Sequence, residues 1–178
     1  MILLTGASAS GKTETAKELK ILFGIKKVVT HTTRKMREGE VNNVDYHFVS
    51  EEEFKKLQAQ DYFVETTLYS GHHYGTSKKE IADDKVVVVE TNGARVFLNL
   101  NDPHIVCFRL IAPIEMRAER MRLRGDSQES IKERLANDVT RFADEEFKDP
   151  RIINIDTSNL SVQEVASKIY KIYLEKIK

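Results

Sequence analysis

Gly6-Ala7-Ser8-Ala9-Ser10-Gly11-Lys12-Thr13 is the stretch that decides the fold of this chain. It has the pattern G-x-x-x-x-G-K-[ST] of a phosphate-binding loop. The apolar run from Met1 to Thr5 has the composition of a short buried strand, and the run from Glu14 to Phe23 has that of a helix. A strand, a glycine-rich loop and a helix in this order gather backbone N–H groups and the positive end of the helix dipole at one place. The stretch therefore predicts a site for the phosphate chain of a nucleotide.

Particular residues of the loop have particular roles in this prediction. Gly6 and Gly11 let the backbone bend so that its N–H groups point inward. Lys12 can reach the outer phosphates, and the hydroxyl of Thr13 can ligate Mg²⁺. A glycine-rich turn without a ligand is the alternative interpretation, and the strand and helix on either side of the loop argue against it.

Length, charge and cysteine content narrow the class of protein. A chain of 178 residues suits one domain with room for insertions. Lys+Arg and Asp+Glu number 28 each, so no overall charge favours nucleic acid or a membrane surface as a partner. Cys107 lies in an apolar run and predicts a buried thiol. The sequence has no leader before Met1 and no apolar run of ~18 residues, so we expect a soluble, cytoplasmic protein. The sequence leaves the oligomeric state open.

Strand-like and helix-like segments alternate along the chain. The predicted strands are residues 2–5, 28–31, 46–49, 63–69, 86–90, 104–110 and 151–154. The predicted helices are residues 12–23, 51–58, 78–82, 93–100, 114–124, 127–146 and 162–176. Val86 to Val89 and Ile105 to Phe108 show no polar alternation, which is typical of parallel strands covered on both faces. We therefore expect an α/β fold, a doubly wound parallel sheet with the phosphate loop after its first strand.

Residues 42–75 interrupt this alternation. They combine aromatic-rich strands with turn signals at Asn42-Asn43 and Ser70-Gly71, which indicates a small, partly antiparallel insert. We expect a single domain whose core comprises residues 1–30, 77–119 and 137–178. The insert would cover residues 31–76 and a helical lid residues 120–136. Gly125-Asp126-Ser127, between two predicted helices, is typical of the hinge that such a lid needs.

Arginines are dense in the predicted lid and just before it: Arg117, Arg120, Arg122, Arg124 and Arg134. Arg120 and Arg124 are four residues apart and share one helix face. Arginines that close over a triphosphate stabilise the charge of a phosphoryl group in transfer. A solvated basic face, balanced by Glu115 and Glu119, is the alternative. The D-x-x-G and N-K-x-D segments of switch GTPases do not occur in the sequence, which disfavours that class.

A second anion site is predicted after the strand at residues 28–31. Arg34 and Arg37 are three residues apart, and guanidinium groups bind phosphate oxygens in pairs. Two arginines and two tyrosine hydroxyls would hold a monoester phosphate. A buried carboxylate at Glu65 would accept two N–H bonds from a guanine edge, a pair that adenine cannot offer. A solvent-facing Glu65 remains open as the alternative.

Several of these motifs, taken in order, resemble guanylate kinase. They are Thr32-Thr33-Arg34, Arg37-x-Gly39-Glu40, Val44-Asp45-Tyr46-x-Phe48-Val49-Ser50, Glu53-Phe54, Phe63-x-Glu65, Gly71-x-x-Tyr74-Gly75-Thr76 and Arg124-Gly125. The resemblance implies phosphoryl transfer from MgATP to GMP or dGMP. The residues it implies for the GMP phosphate are Arg34, Arg37, Tyr46 and Tyr74. Those implied for guanine are Thr30 and Glu65, with Thr76 nearby. Those implied at the transferring phosphate are the lid arginines Arg120, Arg124 and Arg134.

The chain departs from the pattern of that family at a few positions. Ala9 stands where the loop usually has glycine, and Asn92 replaces the usual Gln. Of the two acids that often end the central strand, Val88 replaces the first and Glu90 keeps the second, so Glu90 is the acid expected at the nucleotide site. Two other functions stay open: a kinase of another phosphorylated acceptor, such as a ribose phosphate, and a related binding module without catalysis.

Overall fold

Two sheets and six α-helices make up the computed structural model, which describes residues 1–69 and 71–178. The predicted turn at Ser70-Gly71 therefore lies partly outside the described residues. The strands are β1 (Ile2–Thr5), β2 (Lys26–Lys27), β3 (Thr30–Thr32), β4 (Tyr46–Phe48), β5 (Phe63–Tyr69), β6 (His72–Ser77), β7 (Lys85–Val88), β8 (Val106–Ile111) and β9 (Ile152–Asp156). The helices are α1 (Lys12–Phe23), α2 (Glu51–Ala59), α3 (Thr91–Leu98), α4 (Ile114–Leu123), α5 (Gln128–Arg141) and α6 (Val162–Lys176).

The first sheet is parallel throughout and has the order β2-β7-β1-β8-β9. Its central strand β1 is buried on both faces, because successive side chains alternate between two cores. Ile2 and Leu4 pack in the core that includes residues of α1 and α6, whereas Leu3 packs against Phe97 and its neighbours on α3. This confirms the doubly wound α/β fold and puts the end of β1 at the edge where the phosphate loop begins.

The second sheet has the order β4-β3-β6-β5 and is mixed, as expected for the insert. β3 and β4 are parallel, and β6 is antiparallel to both β3 and β5. Phe54 of α2 stacks on Phe63 with ring centroids 4.7 Å apart, which gives this sheet its own small core. Gly75 lies under that pair, and a Cβ there would be 2.9 Å from Phe63 Cδ1.

The strand predicted at residues 28–31 is wrong as a single element. Lys26 and Lys27 pair with β7, and the N–H of Val28 donates to the carbonyl of Val86. The chain then leaves the first sheet, and Thr30–Thr32 joins the second. Residues 28–32 are all suited to a strand, so no local feature marks the change, and the available pairing partners decide it.

Strand β6 was absent from the predicted elements. Its residues, His72–Ser77, include a glycine and small polar side chains, a composition more typical of turns than of strands. The segment is nevertheless extended because it pairs with β3 on one side and with β5 on the other. His72 and His73 are thus adjacent residues of a strand, with side chains on opposite faces.

Other differences concern the ends of elements. The helix predicted at residues 127–146 ends at Arg141, and a short 3₁₀ turn at Asp144–Phe147 follows it. The helix predicted at residues 78–82 is one 3₁₀ turn, Lys78–Glu80. No helix in residues 1–69 and 71–178 is long and apolar enough to cross a membrane.

Helices α4 and α5 pack against each other through Ala118, Met121 and Ile131. Gly125, between them, has a φ of +89°, a conformation that suits glycine and reverses the chain. Ser127 then begins α5 as its N-cap, because its side chain accepts the N–H of Ser130. The segment predicted as a lid, residues 120–136, lies within this helix pair.

Candidate active site

The loop between β1 and α1 has the bent backbone that phosphate binding needs. Gly6 and Gly11 have φ values of +135° and +105°, which side-chain-bearing residues rarely adopt. A Cβ on Gly6 would lie only 2.4 Å from the carbonyl oxygen of Leu110 on the neighbouring strand. Glycine is therefore needed at this position for two separate reasons.

Lys12 folds back over the loop that precedes it. Its ammonium group donates to the carbonyl oxygens of Gly6 and Ala7 at 2.5 and 2.8 Å. Burial lowers the pKa of Lys12 to about 8, with Asp138 acting in the opposite direction. A phosphate chain beside Lys12 would favour the charged form of its side chain. Binding of such a ligand would therefore raise the pKa of Lys12.

A cleft of about 400 Å³ lies beside the loop. Thr13 and the other residues of the loop from Ala9 onward form one wall, and Arg120 and Arg124 form another. The rest of the lining is largely apolar: Leu160, Val162 and Val165. The cleft thus combines cationic and apolar side chains, as a site for the phosphates and the flat base of a nucleotide would need.

The three lid arginines differ in their surroundings. Arg120 donates to the carbonyl of Ala9 at 3.2 Å and lies beside Thr157, so it holds the loop as well as lining the cleft. Arg124 forms an ion pair with Asp126 through both carboxylate oxygens. Arg134 is exposed on α5 and is not among the residues that line the cleft. The structure therefore brings two of the three to the cleft, and one of these, Arg120, also contacts the loop.

On the second sheet, the register places four of the expected substrate residues in one row. Tyr46 of β4 is opposite Thr30 of β3, and Glu65 of β5 is opposite Thr76 of β6. Thr30 and Thr76 are the next positions after the His31–Gly75 pair that joins β3 to β6. Residues opposite one another in a sheet present their side chains on the same face. Tyr74, two residues from Thr76, shares that face.

Glu65 is half-buried at one end of this row. It accepts a hydrogen bond from the hydroxyl of Thr76 at 2.8 Å. Burial raises its pKa, and the Thr76 hydrogen bond opposes that shift. Helix α3 lies nearby, since a Cβ built on Gly93 would be 3.7 Å from Glu65 Oε2. The carboxylate is thus sheltered between sheet and helix, which answers the alternative of a fully solvated Glu65.

Arg34 lies at the other end of the row. Its guanidinium donates to both carboxylate oxygens of Glu40 at 3.0 and 2.7 Å and lies 5.3 Å from the ring centre of Tyr46. The hydrogen bond to Glu40 raises the pKa of Arg34, and Arg34 lowers that of Glu40. Arg37 has an exposed side chain, and its backbone N–H also donates to Glu40. The Glu40 carboxylate thus fixes the position of the Arg34 guanidinium beside Tyr46.

The chain is similar to known proteins along most of its length. The guanylate kinase family model matches residues 1–171. A guanylate kinase of Helicobacter pylori is 34% identical, with 100% of this chain and 89% of that protein covered. The chain belongs to the guanylate kinase family. A guanylate kinase of Neisseria gonorrhoeae is 36% identical over 76% of this chain and 70% of its own length. A crystal structure of guanylate kinase from Anaplasma phagocytophilum covers 100% of this chain and 86% of that one, at 27% identity and a TM-score of 0.71.

Phosphoryl transfer in the guanylate kinase family typically needs a metal ion, and an oxygen ligand for one is present at the start of α1. Mg²⁺ binds through one or two protein oxygens, several waters and substrate phosphates. Thr13 offers a hydroxyl on the wall of the cleft, next to the loop. Glu90 offers an exposed carboxylate at the start of α3, 3.7 Å from Arg141. Residues 1–69 and 71–178 contain no group of three or more His, Cys, Asp or Glu placed to hold a metal.

Two acidic residues at these sites were not assigned a role from the sequence. Glu40 occurs in a quoted motif, and its position three residues after Arg37 is the signal that could have suggested it. Asp138 is an isolated acid in a polar helix, and it accepts the backbone N–H of Ser8 at 2.9 Å. No local pattern predicts that contact, since the two residues are 130 positions apart.

Proposed function

We propose that this chain transfers the terminal phosphoryl group of ATP to GMP, and also to dGMP, to give ADP and the corresponding diphosphate. Membership of the guanylate kinase family supports the reaction. The phosphate loop and the cleft beside it would take ATP. The face of the second sheet that carries Tyr46, Thr30, Thr76 and Glu65 would take GMP.

The row across the second sheet is the observation that carries this proposal. A half-buried carboxylate at Glu65 can accept two N–H groups from one side of guanine. Thr30 and Thr76 add hydroxyls within the same row. Arg34 and the tyrosines Tyr46 and Tyr74 gather at the other end, where the phosphate of the same nucleotide would lie. The base and the phosphate of one nucleoside monophosphate would therefore lie at opposite ends of the row.

Catalysis would depend on position and charge rather than on a general base, because the attacking phosphate oxygen of GMP is already anionic. Lys12 and the lid arginines Arg120, Arg124 and Arg134 would neutralise the charge on the transferring group. A Mg²⁺ ion held by Thr13 would add charge neutralisation at the phosphates when bound. The single-domain division, with a core, an insert at residues 31–76 and a lid at residues 120–136, is part of the same proposal.

Production of ADP from ATP tests the proposed reaction. The acceptors to compare are GMP, dGMP, AMP, UMP, CMP and ribose phosphates, each without and with the enzyme. We expect GMP and dGMP to support turnover and the other acceptors to support little. Turnover with a ribose phosphate in preference to GMP would favour a kinase of another phosphorylated acceptor. No turnover with any acceptor would favour a binding module without catalysis.

Replacement of Glu65 tests the site within that reaction. Glu65→Gln keeps the size of the side chain but replaces one acceptor oxygen by a donor, so one of the two guanine contacts becomes a clash of donors. We expect the kcat/KM for GMP to fall by about tenfold to a hundredfold, while ATP binding alone is unchanged. Glu52→Gln, on an exposed position of α2, is the matched control. An equal loss of GMP use and ATP binding would remove Glu65 from base recognition.

The expected cytoplasmic location and the absence of nucleic-acid partners stay predictions, and the oligomeric state is open. The features that argue against a binding module are in the phosphate loop and the cleft beside it, where ATP would bind. Lys12 and Thr13 are both in place at the loop, and Arg120 and Arg124 line the cleft. We therefore propose an active enzyme.

A further inference from the structure

A buried ion pair joins the phosphate loop to both lid helices. Arg117 of α4 lies 2.8 Å from a carboxylate oxygen of Asp138 on α5, and the two side chains are only 10% and 6% exposed. That carboxylate also accepts the N–H of Ser8 at 2.9 Å and its hydroxyl at 3.2 Å. Three segments distant in sequence therefore meet at one side chain.

An apolar contact lies next to this polar one. Ala9, the residue after Ser8, packs against the cluster of Ala118, Met121 and Ile131 between α4 and α5. Ala9 has a φ of +59°, a left-handed conformation that costs about 1–2 kcal/mol for a residue other than glycine. Its methyl group thus stands in a strained backbone where it contacts the helix pair. Two consecutive loop residues dock on the lid, one through hydrogen bonds and the other through packing.

Asp138 is one helical turn from Arg134. Residues four apart on a helix lie on one face, about 6 Å apart along its axis. Holding Asp138 against Ser8 therefore sets where the backbone of Arg134 lies relative to the loop. Arg134 is on the side of Asp138 nearer to Gly125, where the two lid helices meet.

We propose that Asp138 is a positioning residue: held by Arg117, it fastens α5 to the phosphate loop through Ser8 and so sets the place from which Arg134 reaches the transferring phosphate. This inference rests on the proposed function. A lone carboxylate beside the loop would repel a triphosphate, and the guanidinium of Arg117 cancels its charge. A buried ion pair adds little net stability over an apolar pair of the same size. Its value here is the defined orientation of α5.

A double-mutant cycle between Asp138 and Arg134 tests the inference. Asp138→Ala should lower kcat at saturating ATP and GMP by about tenfold or more, the scale expected when a catalytic group is misplaced. Asp138→Asn should recover most of that loss, because its amide oxygen still accepts the N–H of Ser8. Glu133→Ala, which removes an exposed acid next to Arg134, is the control and should leave kcat unchanged.

The cycle separates positioning from a general loss of structure. If Asp138 acts through Arg134, Arg134→Ala should cost much less in the Asp138→Ala background than in the wild type. Losses that simply multiply would overturn the inference, and so would an Asp138→Ala variant with the kcat of the Glu133→Ala control. If Asp138→Ala does not fold, the apolar pair Arg117→Met with Asp138→Leu takes its place in the cycle.

Arg117 gives a second, independent readout. Arg117→Met leaves the Asp138 carboxylate uncompensated beside the loop, so the Kd of ATP measured without GMP should rise by about tenfold or more. Arg117→Met with Asp138→Asn removes both charges and should bring ATP binding back. An unchanged Kd in Arg117→Met would contradict the inference. A wild-type enzyme inactive on GMP would instead overturn the proposed function, so the two failures are distinguishable.

Discussion

At Gly6, a positive φ and a close contact with β8 both disfavour a side chain. We predict that Gly6→Ala destabilises the protein by more than the roughly 1–2 kcal/mol that a positive φ alone costs, because its Cβ would meet the carbonyl of Leu110 at 2.4 Å. Gly24→Ala is the matched control, since Gly24 also has a positive φ but nothing within 4 Å of its Cβ. Thermal unfolding of both variants measures the difference. Equal losses would mean that the contact with Leu110 is relieved at no cost.

At Lys12, binding of ATP should be linked to a proton. The pKa of Lys12 is lowered to about 8 by burial, so at pH 8.5 much of the free protein has a neutral Lys12. Triphosphate favours the charged form, and therefore ATP binding should take up a proton at pH 8.5 and much less at pH 7. Calorimetry in two buffers of different ionisation enthalpy measures this uptake. Lys12→Arg, which stays charged, is the control, and equal uptake in both proteins would assign the proton to another group.

Among the elements, the second sheet contains a buried imidazole, that of His31. His31 of β3 is 7% exposed, its ring lies 4.5 Å from that of His47, and among the described residues its Nδ1 has no hydrogen-bond partner. Burial, with a smaller contribution from His47, lowers the pKa of His31 to about 4. The unfolded chain therefore takes up a proton below pH 6.5 that the folded chain does not, and stability falls as the pH drops from about 6.5 to 4.

The lowered pKa of His31 gives a prediction for how the stability of the insert depends on pH. Between pH 7.5 and 5, the Tm of the wild type should fall by more than that of His31→Gln, which has no charge to gain. The difference between the two proteins matters, because carboxylates elsewhere also titrate toward pH 4. Parallel curves for both proteins would mean that His31 is protonated without cost in the folded state.

For the whole molecule, the expected ligands occupy different sheets. The phosphate loop follows β1 of the first sheet, whereas the row from Tyr46 to Glu65 lies on the second. We predict that GMP alone slows amide hydrogen exchange in β3 and β6, and that ATP alone slows it in the loop and the start of α1. Both ligands together should also protect α4 and α5. Equal protection of the phosphate loop by GMP alone would contradict separate sites.

Much of the candidate site was predictable because its signals are local. The spacing of Gly6, Gly11 and Lys12 and the order of motifs around Arg34 and Glu65 depend only on neighbouring residues. The course of residues 28–32 was not predictable, since either sheet could pair with them. Strand β6 was missed for a different reason: its composition is weak for a strand, and pairing with one strand on each side holds it extended.

The amino-acid sequence by itself determined the phosphate loop, the alternation of strands and helices, and the family, because these depend on residue type and short spacing. Only the tertiary structure decided which residues share a face and which charges meet. Sheet register put Thr30 and Thr76 in the row that ends at Glu65, and helix packing brought Asp138 to Ser8. Such contacts join distant parts of the chain. They depend on how whole strands and helices pair and pack, which the types and spacing of neighbouring residues do not determine.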